Sequence, residues 1–292
     1  MIIKEYDRAH KFLEDYEAVL LEREAAGQMI LYNAFQYRND NIVEEGSFGA
    51  VLQEDILMLI YCFLNEQNLI IFSVNQELSN KASIFLAEHM AKSNRLVQIL
   101  EARSDLCLSF IEEYKNHMEF SYQAMLGLDI MEVRVVNDIK PIEGRQRIAK
   151  PEDAKLLADW MIEYKIEALA CELDYEAALK KVTKYIDENR VYLYENDYLQ
   201  VVSMAIAARK LLHGMAITYV YTPEEQRGKG YAAANLYYMS RELLDQGYEF
   251  CTLFVDKKNP LASKAYEKVG FVILEDYYQY NLIPVEVGVT TT

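Results

Sequence analysis

The chain has 292 residues, 52% of them hydrophobic and 26% charged, with 11 Gly, 5 Pro and 4 Cys, which excludes collagen-like, low-complexity and broadly disordered chains and leaves room for two ordinary domains or one large one. A formal charge of −16 argues against a nucleic-acid partner, whose phosphates reward a basic stripe. The excess is uneven: residues 1–142 hold 12 basic and 23 acidic side chains, net −11, against 18 and 23, net −5, in 143–292, so an anionic ligand meets less repulsion in the second half.

Residues 7–37 carry Phe12, Leu13, Tyr16, Val19 and Leu20 at helical spacing, with Ala-Ala-Gly around residue 26 as a break between two helices. A turn-like stretch at 38–49 precedes apolar segments at 50–53, 56–64 and 69–74, which predict an antiparallel meander. The longest apolar run, 56–64, is too short to cross a ~30 Å hydrocarbon core as a helix. Helical patterns return at 77–92 and 104–116, with extended segments at 96–100 and 130–136. Residues 137–145, with Pro141 and Gly144, form the expected linker. The expected domains are thus 1–140 and 143–284.

The second half opens with a short strand at 147–149, an acid-rich helix start at 150–153 running to Tyr164, and a helix at 175–189. Extended segments at 190–195, 199–209 and 212–221 follow, then a helix at 228–246, a strand at 249–255, a helix at 260–269 and extended segments near Val272 and at 277–283. This order repeats that of the first half and predicts a tandem of one fold. The tail from Val285 reads as frayed or as an edge strand. Cys62, Cys107, Cys171 and Cys251 are scattered, each in an apolar neighbourhood, and read as reduced core thiols. His10, His89, His117 and His213 are isolated, so no metal is expected. The N-terminus carries charges where a secretory signal keeps its apolar stretch. A soluble, cytoplasmic protein with no membrane partner, monomeric or homodimeric, is the expectation.

The chemistry-bearing stretch is His213-Gly-Met-Ala-Ile-Thr-Tyr-Val-Tyr-Thr-Pro-Glu-Glu-Gln-Arg-Gly-Lys-Gly-Tyr-Ala232: strand, loop, helix. Gly228 and Gly230 remove Cβ atoms where backbone N–H groups can converge, and the following helix adds its unpaired donors and positive dipole end. Such a loop can cradle a pyrophosphate, yet it is neither a Walker loop nor a Rossmann fingerprint. Arg227-x-x-Gly230-x-Ala232 resembles the Arg/Gln-x-x-Gly-x-Gly/Ala signature of the GNAT acyl-CoA N-acyltransferases. Asn259-Pro-Leu-Ala-Ser-Lys-Ala-Tyr266-Glu-Lys-Val-Gly-Phe271 resembles that family's Asn-Pro-x-x-x-x-x-Tyr-x-x-x-Gly-Phe block.

The resemblance implies an α+β fold, a mixed and mainly antiparallel sheet flanked by helices, and acetyl-CoA as cosubstrate. It implies that Arg227, Gly228, Lys229, Gly230, Tyr231 and Ala232 bind the CoA pyrophosphate mainly through main-chain N–H groups. Tyr219, Val220 and Tyr221 would pair their backbone with pantetheine, and Asn259, which also reads as a helix N-cap, would reach the cofactor arm. Tyr266 takes the part of the acid: a phenol near pKa ~10 can donate to a departing thiolate whose reference pKa is ~8.5. The base that many members carry eleven residues before the signature Arg is here Ala216. Something must still accept a proton, because freeing an amine of pKa ~10.4 at pH 7 costs roughly 4.6 kcal/mol. Glu167 and Glu172 are the first substitutes, followed by Asp256, His213 through water, or bulk water. Cys251 reads as a packed thiol, which favours direct transfer over a covalent intermediate.

At the matching passage the first half reads Phe72-Ser-Val-Asn-Gln-Glu-Leu-Ser-Asn-Lys81, with no glycine and Glu77 where a phosphate would sit, so it should not bind CoA. The expected activity is N-acetyl transfer to a small-molecule or peptide amine. Two alternatives stand beside it: a non-catalytic acyl-CoA-binding module, and transfer of a longer acyl or aminoacyl group.

Overall fold

In the computed structural model, the described residues are 1–37, 46–75, 77–140, 142–169 and 171–285. Most of the turn expected at 38–49, Pro141 of the expected linker and all of the tail after Val285 lie outside them. The chain divides into two compact units, Met1–Leu128 with Glu275–Thr292, and Asp129–Leu274.

The first unit runs β1 (Ile2–Tyr6), α1 (Ala9–Glu22), α2 (Glu24–Gln36), β2 (Gly46–Gln53), β3 (Ile56–Leu64), β4 (Asn68–Ser73), α3 (Ser79–Lys92), β5 (Ile99–Ala102), α4 (Ser104–Tyr114) and into β6 (Phe120–Val133). The second continues with β7 (Arg145–Ile148), α5 (Ala154–Leu169), α6 (Tyr175–Asp187), β8 (Val191–Glu195), β9 (Val201–Lys210), β10 (Gly214–Tyr221), α7 (Tyr231–Asp245), β11 (Phe250–Asp256), α8 (Pro260–Val269) and β12 (Val272–Pro284). Apart from short 3-10 turns the two series are the same, β-α-α-β-β-β-α-β-α-β. Their pairings also agree: the first four strands of each series are joined antiparallel, and the fourth and fifth run parallel.

The strand beside the fifth is what departs from the expected boundaries. In the first unit the neighbour of β5 is β12, with Tyr278–Asn281 antiparallel to Ile99–Ala102. In the second unit the neighbour of β11 is β6, and the Thr252 hydroxyl donates to the Met131 carbonyl at 2.9 Å. The first unit therefore takes the strand beside β5 from the far end of the sequence, while the second takes the end of β6 that leads directly into it. The division falls inside β6 and β12 rather than at the expected 140/143 linker, because β6 and β12 are single long strands and a break between elements is all that local composition signals. The expected linker also helps to close a helix, since the Asn137 side-chain amide donates to the last carbonyls of α8, at Glu267 and Lys268.

Three further expectations are corrected. A strand at β1 is not among the expected elements; its sequence IIKEY is mostly exposed and too charged to read as one. The two segments expected at Val272 and 277–283 are one strand. Cys171 is exposed, unlike the buried Cys62, Cys107 and Cys251, because it lies in the connection between α5 and α6. Among the described residues no helix is long and apolar enough to cross a membrane.

In the second unit α5 and α6 cover one face of the sheet, with Trp160, Tyr219 and Tyr221 in their cluster. α7 and α8 cover the other, with Leu236, Leu253, Tyr266 and Phe271 in theirs.

Candidate active site

The site begins with a parting of strands. β10 and β11 pair only from Gly214↔Phe250 to Ala216↔Thr252, yet β10 runs on to Tyr221 and β11 to Asp256. Against β9, β10 carries one extra residue between Thr218↔Ile206 and Tyr221↔Met204. Tyr219 takes up this bulge with φ +50°, a left-handed conformation that an L-residue adopts at a cost of ~1–2 kcal/mol. Past Ala216 the β11-facing edge of β10 has main-chain groups without a strand partner, which an extended ligand can pair with.

At the end of this opening, the 3-10 turn Glu224–Gln226 leads through Gly228 (φ +75°) and Gly230 (φ +91°) into α7. Gly230 is the N-cap of α7, and no side chain caps that helix, so its first N–H groups and dipole end stay available to an anion. A Cβ on Gly228 would meet nothing within 4 Å; the glycine serves the backbone conformation and leaves the space above the turn open. Lys229 donates to the Gln226 side chain at 3.0 Å, while Tyr231 and Ala232 begin the helix.

Arg227 turns away from the turn. Its Nε donates to the Thr222 carbonyl at 2.8 Å and a terminal nitrogen to Glu167 at 2.6 Å, with the guanidinium over the Tyr221 ring. It braces the loop, and Glu167 is held by this pair. Glu172 is exposed in the connection between α5 and α6. Asn259 caps α8 by accepting the Ala262 N–H at 3.1 Å, so its side-chain oxygen is engaged within the helix terminus. His213 lies just before β10, at the opposite end of that strand from the turn, roughly 25 Å away at the usual rise per residue. Cys251 is fully buried, and burial pushes its thiol up to about 12, in keeping with a packed side chain.

Tyrosines gather at the parting. The Tyr164 ring from α5 lies 5.0 Å from that of Tyr219. Burial raises the Tyr164 hydroxyl above its ordinary pKa against a hydrogen bond from Thr218, with Tyr219 and Asp256 near enough to add to the rise. Tyr266 is 7% exposed and packs on Phe271; burial first, and Tyr164 second, hold its hydroxyl well above the usual phenol range. It stays protonated across neutral pH, as a proton donor must. Asp256 closes β11 and accepts the Lys258 N–H at 2.8 Å.

Two contacts are absent from the sequence reading. Glu163 accepts the Tyr221 hydroxyl at 2.6 Å, and Lys181 donates to the Tyr219 hydroxyl at 3.1 Å. Glu163 lies one helical turn from Trp160 and from Glu167, so the 3.6-residue period of α5 was the available signal.

Residues 155–271 match the family model described as the acetyltransferase (GNAT) family. The chain carries a GNAT acetyltransferase domain. Two solved structures share the fold along nearly their full length. A GCN5-related N-acetyltransferase from Sphaerobacter thermophilus is 15% identical, with 100% of this chain and 98% of that one covered at a TM-score of 0.61. An acetyltransferase from the GNAT family of Colwellia psychrerythraea is 11% identical, with 97% and 100% covered at 0.53. The search of curated proteins finds no match. The GNAT domain is that of an acyltransferase, and the first unit repeats its element order without the glycine turn.

Proposed function

We propose that the protein is an acetyl-CoA-dependent N-acetyltransferase that transfers acetyl directly to a primary amine. The reading rests on one juxtaposition: the parted β10 and β11 lead onto the uncapped start of α7 through two left-handed glycines. In this reading the diphosphate lies against the N–H groups of residues 227–232, pantetheine follows the backbone of Tyr219, Val220 and Tyr221, and the thioester reaches the bulge. The amine attacks the thioester carbonyl, the C–S bond breaks, and the Tyr266 hydroxyl supplies a proton or hydrogen bond to the leaving sulfur.

The ammonium proton must leave first. Asp256, gathered near Tyr164, is our choice of acceptor, with water between it and the amine. An Asp256→Asn variant should lose roughly tenfold in kcat at pH 7, and the loss should shrink at pH 9, where more of the amine is already neutral. A pH-independent loss would remove this role.

Ala216 at the usual base position, together with the Glu167–Arg227 pair, favours a second reading, a binding module without turnover. Calorimetric titration with acetyl-CoA and thiol release with a panel of primary amines separate the two. Binding with release supports the enzyme, binding without release in any amine supports the module, and no binding overturns both.

A further inference from the structure

On the α5–α6 face of the site a lysine ammonium meets the Tyr219 side chain. The glycine turn feeds α7, and Tyr266 lies with α7 and α8 on one face of the sheet. Tyr219, raised on its bulge, sends its side chain to the α5–α6 face. There the Lys181 ammonium from α6 donates to the Tyr219 hydroxyl at 3.1 Å and lies 5.2 Å from the ring centroid. Lys165, next to Tyr164 on α5, is close enough to favour the ionised form of Tyr219. Its carbonyl accepts the Cys171 N–H at 3.2 Å.

Among the described residues, neither lysine has a carboxylate within ion-pair distance. Of the carboxylates that flank Lys165 on α5, Glu167 pairs with Arg227 and Glu163 accepts the Tyr221 hydroxyl. An acceptor arriving from this face meets cations beside aromatic rings, the surroundings that favour a carboxylate and disfavour a second ammonium.

We propose that Lys181 forms a carboxylate subsite at the Tyr219 bulge, so that the acceptor amine is that of an amino acid rather than a polyamine. This rests on the acetyltransferase reading above and narrows its acceptor. No bond changes at the subsite: the carboxylate stays ionised, paired with the ammonium, while the amine nitrogen turns toward the thioester.

The test compares amino acids with their decarboxylated counterparts, phenylalanine against phenethylamine, leucine against isoamylamine and lysine against cadaverine, on the full-length protein. Thiol release should favour the carboxylate-bearing member of each pair by tenfold or more in kcat/KM. A Lys181→Met variant should erase most of that preference through KM, with acetyl-CoA binding unchanged by calorimetry. Equal turnover of both members, or an unchanged KM in Lys181→Met, overturns the proposal.

A second readout needs no turnover. Cys171 is the exposed thiol of the four and lies beside Lys165, so iodoacetamide labels it selectively. With CoA bound, the amino acids should slow labelling in the wild type but not in Lys181→Met, and the decarboxylated amines should not slow it. Protection by amino acids without thiol release keeps the subsite and removes the transferase reading. Thiol release without selective protection or preference does the reverse.

Discussion

The two units share an order of elements and differ where a nucleotide would bind. At the start of α7 the N-cap is Gly230 in a left-handed conformation, and no side chain caps the helix. The N-cap of α3 is Leu78, and the Asn75 side chain accepts the N–H groups of Glu77 and Leu78 at 3.2 and 3.3 Å. The first unit thus engages with its own side chain two N–H groups just ahead of α3, although α3, like α7, has no side-chain cap. At the end of β4, Arg23 donates to the Ser73 carbonyl at 3.1 Å and pairs with Glu275 at 2.5 Å, so this strand end is also occupied. Counting seven residues on from the N-caps of α4 and α8, the second unit has Tyr266 and the first has Phe110. The lesson is that one order of elements can leave main-chain groups open in one unit and engage the matching places with internal contacts in the other.

The largest expected break in this contrast is at Gly230. A Gly230→Glu variant adds a side chain at φ +91° and a carboxylate at the diphosphate, and should weaken acetyl-CoA binding by at least ~100-fold, about 2.7 kcal/mol. Calorimetry should count one acetyl-CoA per chain in the parent; two per chain would erase the difference between the units.

Tyr266→Phe makes α8 resemble α4 at one atom. It should lower kcat by roughly 100-fold while leaving acetyl-CoA affinity nearly unchanged. Because burial holds the Tyr266 hydroxyl above its ordinary value, the group remains a donor as pH rises. The parent's rate should therefore climb with amine deprotonation and show no fall below pH ~10. An alkaline decline near pH 8 would assign the proton donor elsewhere.

Asn75→Ala removes the two side-chain hydrogen bonds just ahead of α3. The expected cost is ~1 kcal/mol of stability in denaturant titration, with acetyl-CoA affinity unaltered. A change in affinity would tie the first unit to the cofactor. Smallest should be Glu167→Gln, which breaks a half-exposed ion pair worth at most ~1 kcal/mol and should shift kcat less than threefold. A larger, pH-dependent loss would return Glu167 to the role of base.

Much of this was legible along the chain. Gly228 and Gly230 stand where only a left-handed backbone makes the turn, and Asn259-Pro260 writes a helix start into one amide side chain and one ring. Period-two and period-3.6 patterns located most strands and helices because burial imposes them locally. The pairing of β12 with β5 and of β6 with β11 was not legible, because a strand's sequence shows that it is buried but not which neighbour buries it. Neither were the partners of Arg227, Tyr219 and Tyr221. Glu167, Lys181 and Glu163 lie 60, 38 and 58 residues away from them, and only the packing of α5 and α6 on the sheet brings these charges to the bulge. Local geometry is set by each residue's own backbone and can be read from the sequence; the charge around a site is set by what folding places beside it.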